Sequence, residues 1–220
     1  MKLEIACFNL ESAIIAQRAG ADRIELCDGF SVGGITPGEK IFDAARKVVI
    51  VDLFAMIRPR GGNFTYSDAE FEQMKKQLLQ LKKSGADGFV FGILNVDGSI
   101  NKNQNTELVE LAKPLPCTFH RAFDSVNDSA TALERIIDCG FKTVLTSGRK
   151  ETAEEGITQL SELINQATGR IVIMPGGGVR SINIDKLTEN LNTFWYHSSG
   201  ISSGEVANVD EIKLLKEKVK

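Results

Sequence analysis

Gly20-Ala-Asp-Arg-Ile-Glu-Leu-Cys27 and Gly85-Ala-Asp-Gly-Phe-Val-Phe91 begin with the same three residues and then become short apolar runs. Before each glycine the apolar residues recur at helical spacing; after each aspartate the run has the length of a strand. Gly-Ala-Asp therefore reads as a helix-to-strand joint. A looser copy, Gly140-Phe-Lys142, precedes Thr143-Val-Leu-Thr-Ser147. One β/α unit used repeatedly explains the recurrence. Strict alternation requires parallel strands with helices covering them, because each crossover must travel back over the sheet with one hand.

Outward from these joints, strands are expected at 3–7, 23–27, 48–57, 88–92, from 117, and at 143–147, 170–174 and 193–197. Helices should fill the gaps. Asn9 caps the first, through about Ala19. Thr36-Pro-Gly-Glu39 carries capping-box residues with a proline at the first turn, and Ser67-Asp-Ala-Glu70 and Thr152-Ala-Glu-Glu155 are further capping boxes. The helix from Ser67 should run to Lys83, with others near 106–113, from Asn127 or Asp128, at 182–191, and from Asn208. Eight such units in one domain, 1–220, predict an α/β fold of the single-domain (β/α)8 TIM-barrel type; an open doubly wound sheet is the alternative.

The composition is that of an ordinary globular chain: 220 residues, 42% hydrophobic, 25% charged. A net charge of −3, without basic clusters interleaved with aromatics, gives no reason to expect a nucleic-acid partner. No apolar run is long enough to span a bilayer and no secretory h-region opens the chain, so no membrane partner and a cytoplasmic location are expected. Cysteines stand at 7, 27, 117 and 139 without a C-x-x-C pair, which disfavours a structural zinc site.

In a barrel, chemistry gathers where strands end. Cys117-Thr-Phe-His-Arg-Ala-Phe-Asp124 ends a strand in polar residues, and its neighbours do likewise. The candidates for moving protons are Glu25, His120 and Asp124, with Glu4 deeper in the first strand. Buried carboxylates need partners, and Arg23, Arg58 or His120 could supply them, so a purely structural ion network is the competing reading. Arg58 and Arg60 flank Pro59 on a rigid loop and suit a small anionic ligand. Arg121, Ser147, the turn Gly176-Gly177-Gly178 and His197-Ser198 complete the proposed binding set, the turn standing where many barrels hold phosphate. Cys7 and Cys27 end neighbouring strands about 5 Å apart, close enough for two thiolates to hold a soft ion such as Cu(I). Strand parity opposes this: with Glu4 facing inward, Ala6 does too and Cys7 turns aside.

Several motifs, in this order, resemble the copper homeostasis protein CutC family. They are Arg23-Ile-Glu-Leu-Cys27, Gly33-Gly-Ile-Thr-Pro37, Met56-Ile-Arg-Pro-Arg-Gly-Gly62, Tyr66-Ser67, Thr118-Phe-His-Arg-Ala-Phe-Asp124, Leu145-Thr-Ser-Gly148 and Met174-Pro-Gly-Gly-Gly178. The resemblance implies a β/α barrel, a cytoplasmic protein, a homodimer or higher homo-oligomer, and copper as the ion bound, with Cys7 and Cys27 as the matching cysteines. The family's usual longer polar segment after the last strand is short here, where His197 runs almost directly into the final helix. The alternative drawn from the residues is a TIM-barrel hydrolase, lyase or isomerase acting on a small anionic substrate, such as a phosphorylated one, at the barrel mouth.

Overall fold

Capping chemistry and the placement of each apolar run set the β/α units. The computed structural model describes residues 1–219. Its strands are β1 Lys2–Cys7, β2 Arg23–Leu26, β3 Asp52–Met56, β4 Gly88–Phe91, β5 Cys117–Phe119, β6 Thr143–Thr146, β7 Val172–Pro175 and β8 Trp195–Ser198. The helices are α1 Leu10–Arg18, α2 Glu39–Val48, α3 Asp68–Lys83, α4 Lys102–Ala112, α5 Ser129–Cys139, α6 Ile157–Ala167, α7 Ile184–Asn190 and α8 Val209–Lys218. All strand pairs are parallel, in the order β7-β6-β5-β4-β3-β2-β1-β8. The sheet curls until β7 and β8 meet, and Thr193 Oγ1 donates to the Ile173 carbonyl across that seam at 2.5 Å. The result is a nearly closed TIM barrel.

Alternation along each strand divides the core into two layers. Leu3, Ile5, Ile24, Leu26, Leu53, Phe89 and Phe91 face outward and join one apolar cluster with helix residues such as Ala13, Phe42 and Met74. The alternate residues point into the barrel, where Cys27, Phe54, Met56 and Val90 form a smaller cluster. Glu4, Arg23, Glu25, Thr118 and His120 are buried on the inward positions of these strands. Each large outward side chain contributes about 1.5–3 kcal/mol by leaving water, so the outer layer carries most of the stability and the interior can hold charge.

Several local expectations shift. The apolar stretch 48–57 is not one strand: α2 runs to Val48, Ile50 is 89% exposed, and β3 begins at Asp52. An amphipathic helix end and a short connector thus mimic a buried run. Thr36 does not cap α2. Its hydroxyl accepts the Arg58 N–H at 2.9 Å and ties the loop to the end of β3, while Gly38 takes the cap position. α4 starts earlier than expected because Asn101 caps it, accepting the Gln104 N–H at 3.1 Å. α6 starts after Gly156, not at Thr152. A Cβ on Gly156 would lie 1.8 Å from the Ser147 carbonyl, so the turn packs directly on the end of β6 before the helix begins. Beyond Phe119 the chain leaves the sheet and enters a 3-10 turn, Arg121–Ser125, so Arg121 does not follow strand parity. The caps at Asn9, Ser67, Asp128 and Asn208 form as expected.

Candidate functional site

β1 and β8 are in register with Glu4 opposite His197, and β1 and β2 with Glu4 opposite Arg23. Three inward side chains therefore meet below the mouth. Arg23 Nε donates to Glu4 Oε2 at 2.5 Å, and His197 Nδ1 lies 2.7 Å from Glu4 Oε1. The other ring nitrogen, His197 Nε2, is 3.7 Å from Glu25 Oε2. The row Arg23–Glu4–His197–Glu25 leads from the barrel interior toward the opening.

Burial works against every charge in this row, and the neighbours decide the outcome. It pushes the Glu4 carboxyl up, but the Arg23 charge and the His197 contact outweigh it and hold Glu4 below its ordinary value. For His197, burial favours the neutral ring, yet the hydrogen bond it donates to Glu4 and the charges of Glu25 and Glu4 prevail and raise its pKa. Glu25 is different. Burial pushes it up, His197 only partly offsets this, and Glu4 adds repulsion, leaving Glu25 at about 7.

Above the row lies a cavity of about 120 Å³ lined by Ala6, Phe8, Glu25, Cys27, Gly33, Met56, Arg58, Phe64, His120, Arg121, Leu145 and His197. Its walls are mainly apolar. His120 enters from β5. Its Nδ1 accepts the Ala122 N–H at 3.3 Å, so the ring proton sits on Nε2. Burial and the Arg58 charge push its pKa down to about 3, which keeps the ring neutral. Phe64 packs against it with centroids 4.9 Å apart. Glycines keep this region clear: a Cβ on Gly92 would stand 2.7 Å from His120 Nδ1, and one on Gly176 would stand 2.4 Å from the Leu145 side chain, beside His197.

The structure brings Glu25, Cys27, Arg58, His120, Arg121 and His197 to this pocket. The remaining predicted residues are engaged elsewhere. Arg60 pairs with Glu70 at 2.5 Å and donates to the Thr65 carbonyl, away from the lining. Asp124 is not free to move protons: it accepts Arg121 Nε at 2.7 Å, Thr146 Oγ1 at 2.5 Å, Ser147 Oγ at 3.1 Å and the N–H groups of Ser147 and Arg149. Ser147 belongs to that network and also accepts Arg121 Nη2 at 2.9 Å. Gly177 serves as a seat for the Arg121 guanidinium, which a Cβ there would meet at 3.1 Å. Gly178 lends its carbonyl to Asn183. The Ser198 hydroxyl donates to the Val179 carbonyl at 2.7 Å and accepts Arg180 Nη1 at 3.0 Å, so the turn after β7 is internally bonded. Arg58 pairs with no carboxylate. It donates to the carbonyls of Val32, Gly34 and Gly62 at 2.8–3.0 Å and shapes the loops above β2 and β3.

Sequence reasoning assigned His197 to an anion-binding turn and missed its role as the bridge between Glu4 and Glu25. The signal was available only through closure of the barrel, which sets β8 beside β1. The contributions of Phe64 and Gly92 were also missed, since both act only across strands.

The cysteine pair has a defined arrangement. Cys27 N–H donates to the Cys7 carbonyl at 2.8 Å, so the backbones adjoin. Cys7 packs in the helix-facing layer, its thiol 3.7 Å from the Ile5 carbonyl, whereas Cys27 belongs to the barrel interior. Burial and the nearby Glu25 charge raise the pKa of both thiols. As folded, the two sulfurs do not face one ion from the same side. A different donor set, Glu4, Glu25 and His197, places ligand atoms within 4.8 Å of one another. Two carboxylates and an imidazole suit a harder divalent ion better than Cu(I), and Arg23 already holds one Glu4 oxygen.

Comparison with known proteins agrees with the fold and with the family resemblance. The sequence model of the CutC family matches residues 1–202. A human relative named copper homeostasis protein cutC homolog is 47% identical over 91% of this chain and 74% of its own length. The Caenorhabditis elegans protein of the same name is 39% identical over 99% of this chain and 87% of its own. Among solved structures, a Streptococcus agalactiae protein bearing the CutC copper homeostasis name superposes with a TM-score of 0.85 at 30% identity, covering 90% of this chain and 98% of that one. The chain belongs to the CutC family.

Proposed function

We propose that this chain takes part in copper homeostasis in the cell interior, binding copper as its cargo. The observation that supports this is 47% identity, over nine-tenths of the chain, to a human protein named for that role. Cys27 on the pocket wall is the thiol an entering ion meets first, and Cys7, one strand away, would have to turn inward to join it. The test is titration of the reduced, anaerobic protein with Cu(I) against a competing chelator, beside the Cys7→Ala/Cys27→Ala double variant. One-to-one binding that is lost in the variant supports the reading. Binding too weak to compete, or unchanged in the variant, removes it.

A second reading is favoured by a specific observation. Six buried side-chain polar atoms lack a hydrogen-bond partner among the described residues, and three of them, Glu25 Oε1, Arg58 Nε and His120 Nε2, belong to residues that line this one pocket. Leaving such an atom unpaired costs about 1–3 kcal/mol, so their convergence suits a ligand that pairs them. We infer an enzyme acting on a small polar or anionic substrate, with Glu25 and His120 moving or sharing protons. Ligand-observed NMR with small carboxylates and sugar phosphates tests it. Saturable binding weakened at least tenfold by Glu25→Gln supports the reading; no binding by any probe in the wild type removes it.

A further inference from the structure

We propose that this pocket removes a proton from a carbon next to a carbonyl group in a small hydroxy-carbonyl compound, with Glu25 as the base and His120 as the neutral donor to the carbonyl oxygen. The proposal rests on the second reading above and names its reaction and substrate class.

The geometry carries it. His120 Nδ1 is occupied by the Ala122 N–H, so Nε2 is a protonated donor; it is buried and has no partner. An imidazole held neutral donates a hydrogen bond to a carbonyl oxygen without surrendering its proton outright, and so stabilises an enolate as charge develops. Glu25 Oε1 is a buried acceptor with no partner, while its other oxygen faces His197 Nε2 at 3.7 Å. One carboxylate oxygen is thereby left for the substrate. Arg58 Nε, the third buried atom without a partner, supplies a donor for a hydroxyl or an anionic group. Phe8, Phe64, Met56 and Leu145 keep the space largely apolar.

The chemistry balances without an oxidant. The C–H bond breaks and its proton bonds to Glu25 Oε1. The electron pair forms the C=C bond of an enediolate, and the carbonyl π pair moves onto the oxygen that accepts the His120 N–H. Return of the proton from Glu25 to the original carbon regenerates the substrate. Return to the neighbouring carbon, with the hydroxyl proton passing between the two oxygens, gives its isomer.

The experiment is incubation of the whole protein in D2O with glycolaldehyde, glyceraldehyde, dihydroxyacetone and the phosphates of the last two. 1H NMR follows loss of the C–H signal, and ligand-observed NMR follows binding of the same probes. The expected result is exchange at least 100-fold above buffer for at least one probe, lost at least 100-fold in Glu25→Gln and partly recovered in Glu25→Asp, with each variant checked for native circular dichroism. Binding without exchange in the wild type overturns the proposal and leaves the second reading standing. Absence of binding by every probe overturns the proposal, and the second reading falls with it only when the small carboxylates and sugar phosphates also fail to bind. Exchange that survives Glu25→Gln also overturns the proposal, because the base is then elsewhere.

Discussion

Asp124 and Glu25 both stand at the carboxyl ends of the barrel strands, yet their surroundings differ in kind. Asp124 accepts hydrogen bonds from Arg121, Thr146, Ser147 and Arg149, including the backbone N–H of Arg149, which is held at φ 62°. A non-glycine residue in that region is costly, and the carboxylate offsets the cost by fixing the turn. Glu25 has one oxygen at 3.7 Å from an imidazole and the other with no partner. One carboxylate is saturated and holds a loop; the other is unsatisfied and faces a pocket. Polarity at a strand end therefore does not identify a site, whereas polarity left unpaired in a cavity does.

The sharpest way to break this contrast is Asp124→Ala. It strips the turn after β6 of its acceptor and leaves the Ser147 and Arg149 N–H groups and the Thr146 hydroxyl without their partner. The expected loss is about 3 kcal/mol, read as a lower midpoint in urea unfolding. If Asp124→Ala instead left stability unchanged, the saturated network would not be structural and the contrast with Glu25 would fail.

Glu25→Gln should behave in the opposite sense, and pH shows it. Burial raises the folded-state pKa of Glu25 from an ordinary 4.5 to about 7. Between these values the folded protein holds a proton that the unfolded chain has released, so wild-type stability falls as pH rises from 4.5 to 7 and then levels off. Glutamine cannot titrate and removes this slope. Relative to wild type, the variant should gain on the order of 3 kcal/mol between pH 4.5 and pH 8, measured by urea unfolding at both pH values. A variant that merely loses stability at both would place Glu25 in a structural ion network like that of Asp124.

Much of the fold was legible because it is local. Gly-Ala-Asp joints, four helix caps and strand-length apolar runs each lie within a few residues, and they define the repeating unit. Inward-facing Glu4, Glu25, Cys27 and Met56 follow from period-two alternation, which also separates Cys7 from Cys27. What was not legible depends on contacts distant in sequence. His197 meets Glu4 across 193 residues, and Arg23 reaches it across 19. Arg58 read as an anion binder because its type and its proline suited one, but its two terminal nitrogens are committed to three loop carbonyls and only Nε is left without a partner. Asp124 read as catalytic for the same reason. Residue type marks where polar chemistry is concentrated, and only the hydrogen-bond inventory shows which groups remain available.

Arg60 sharpens the comparison at its weakest end. It was grouped with Arg58 by spacing, but it lies outside the pocket, pairs with Glu70 at 2.5 Å and stacks over Tyr66 at 5.2 Å. Its side chain is 39% exposed, so water screens the pair and the pair contributes at most about 1 kcal/mol. Arg60→Ala should therefore lower stability by less than that and leave the affinity of any pocket ligand within about twofold, since the Arg60 guanidinium is directed at the Ser67 cap of α3 and not at the mouth. Urea unfolding and the same NMR binding assay measure both effects. A loss of ligand affinity beyond tenfold would mean that the loop joining β3 to α3 closes over the pocket when a ligand binds, and that Arg60 exchanges Glu70 for the ligand; the division between saturated and available groups would then have to be drawn on the bound state.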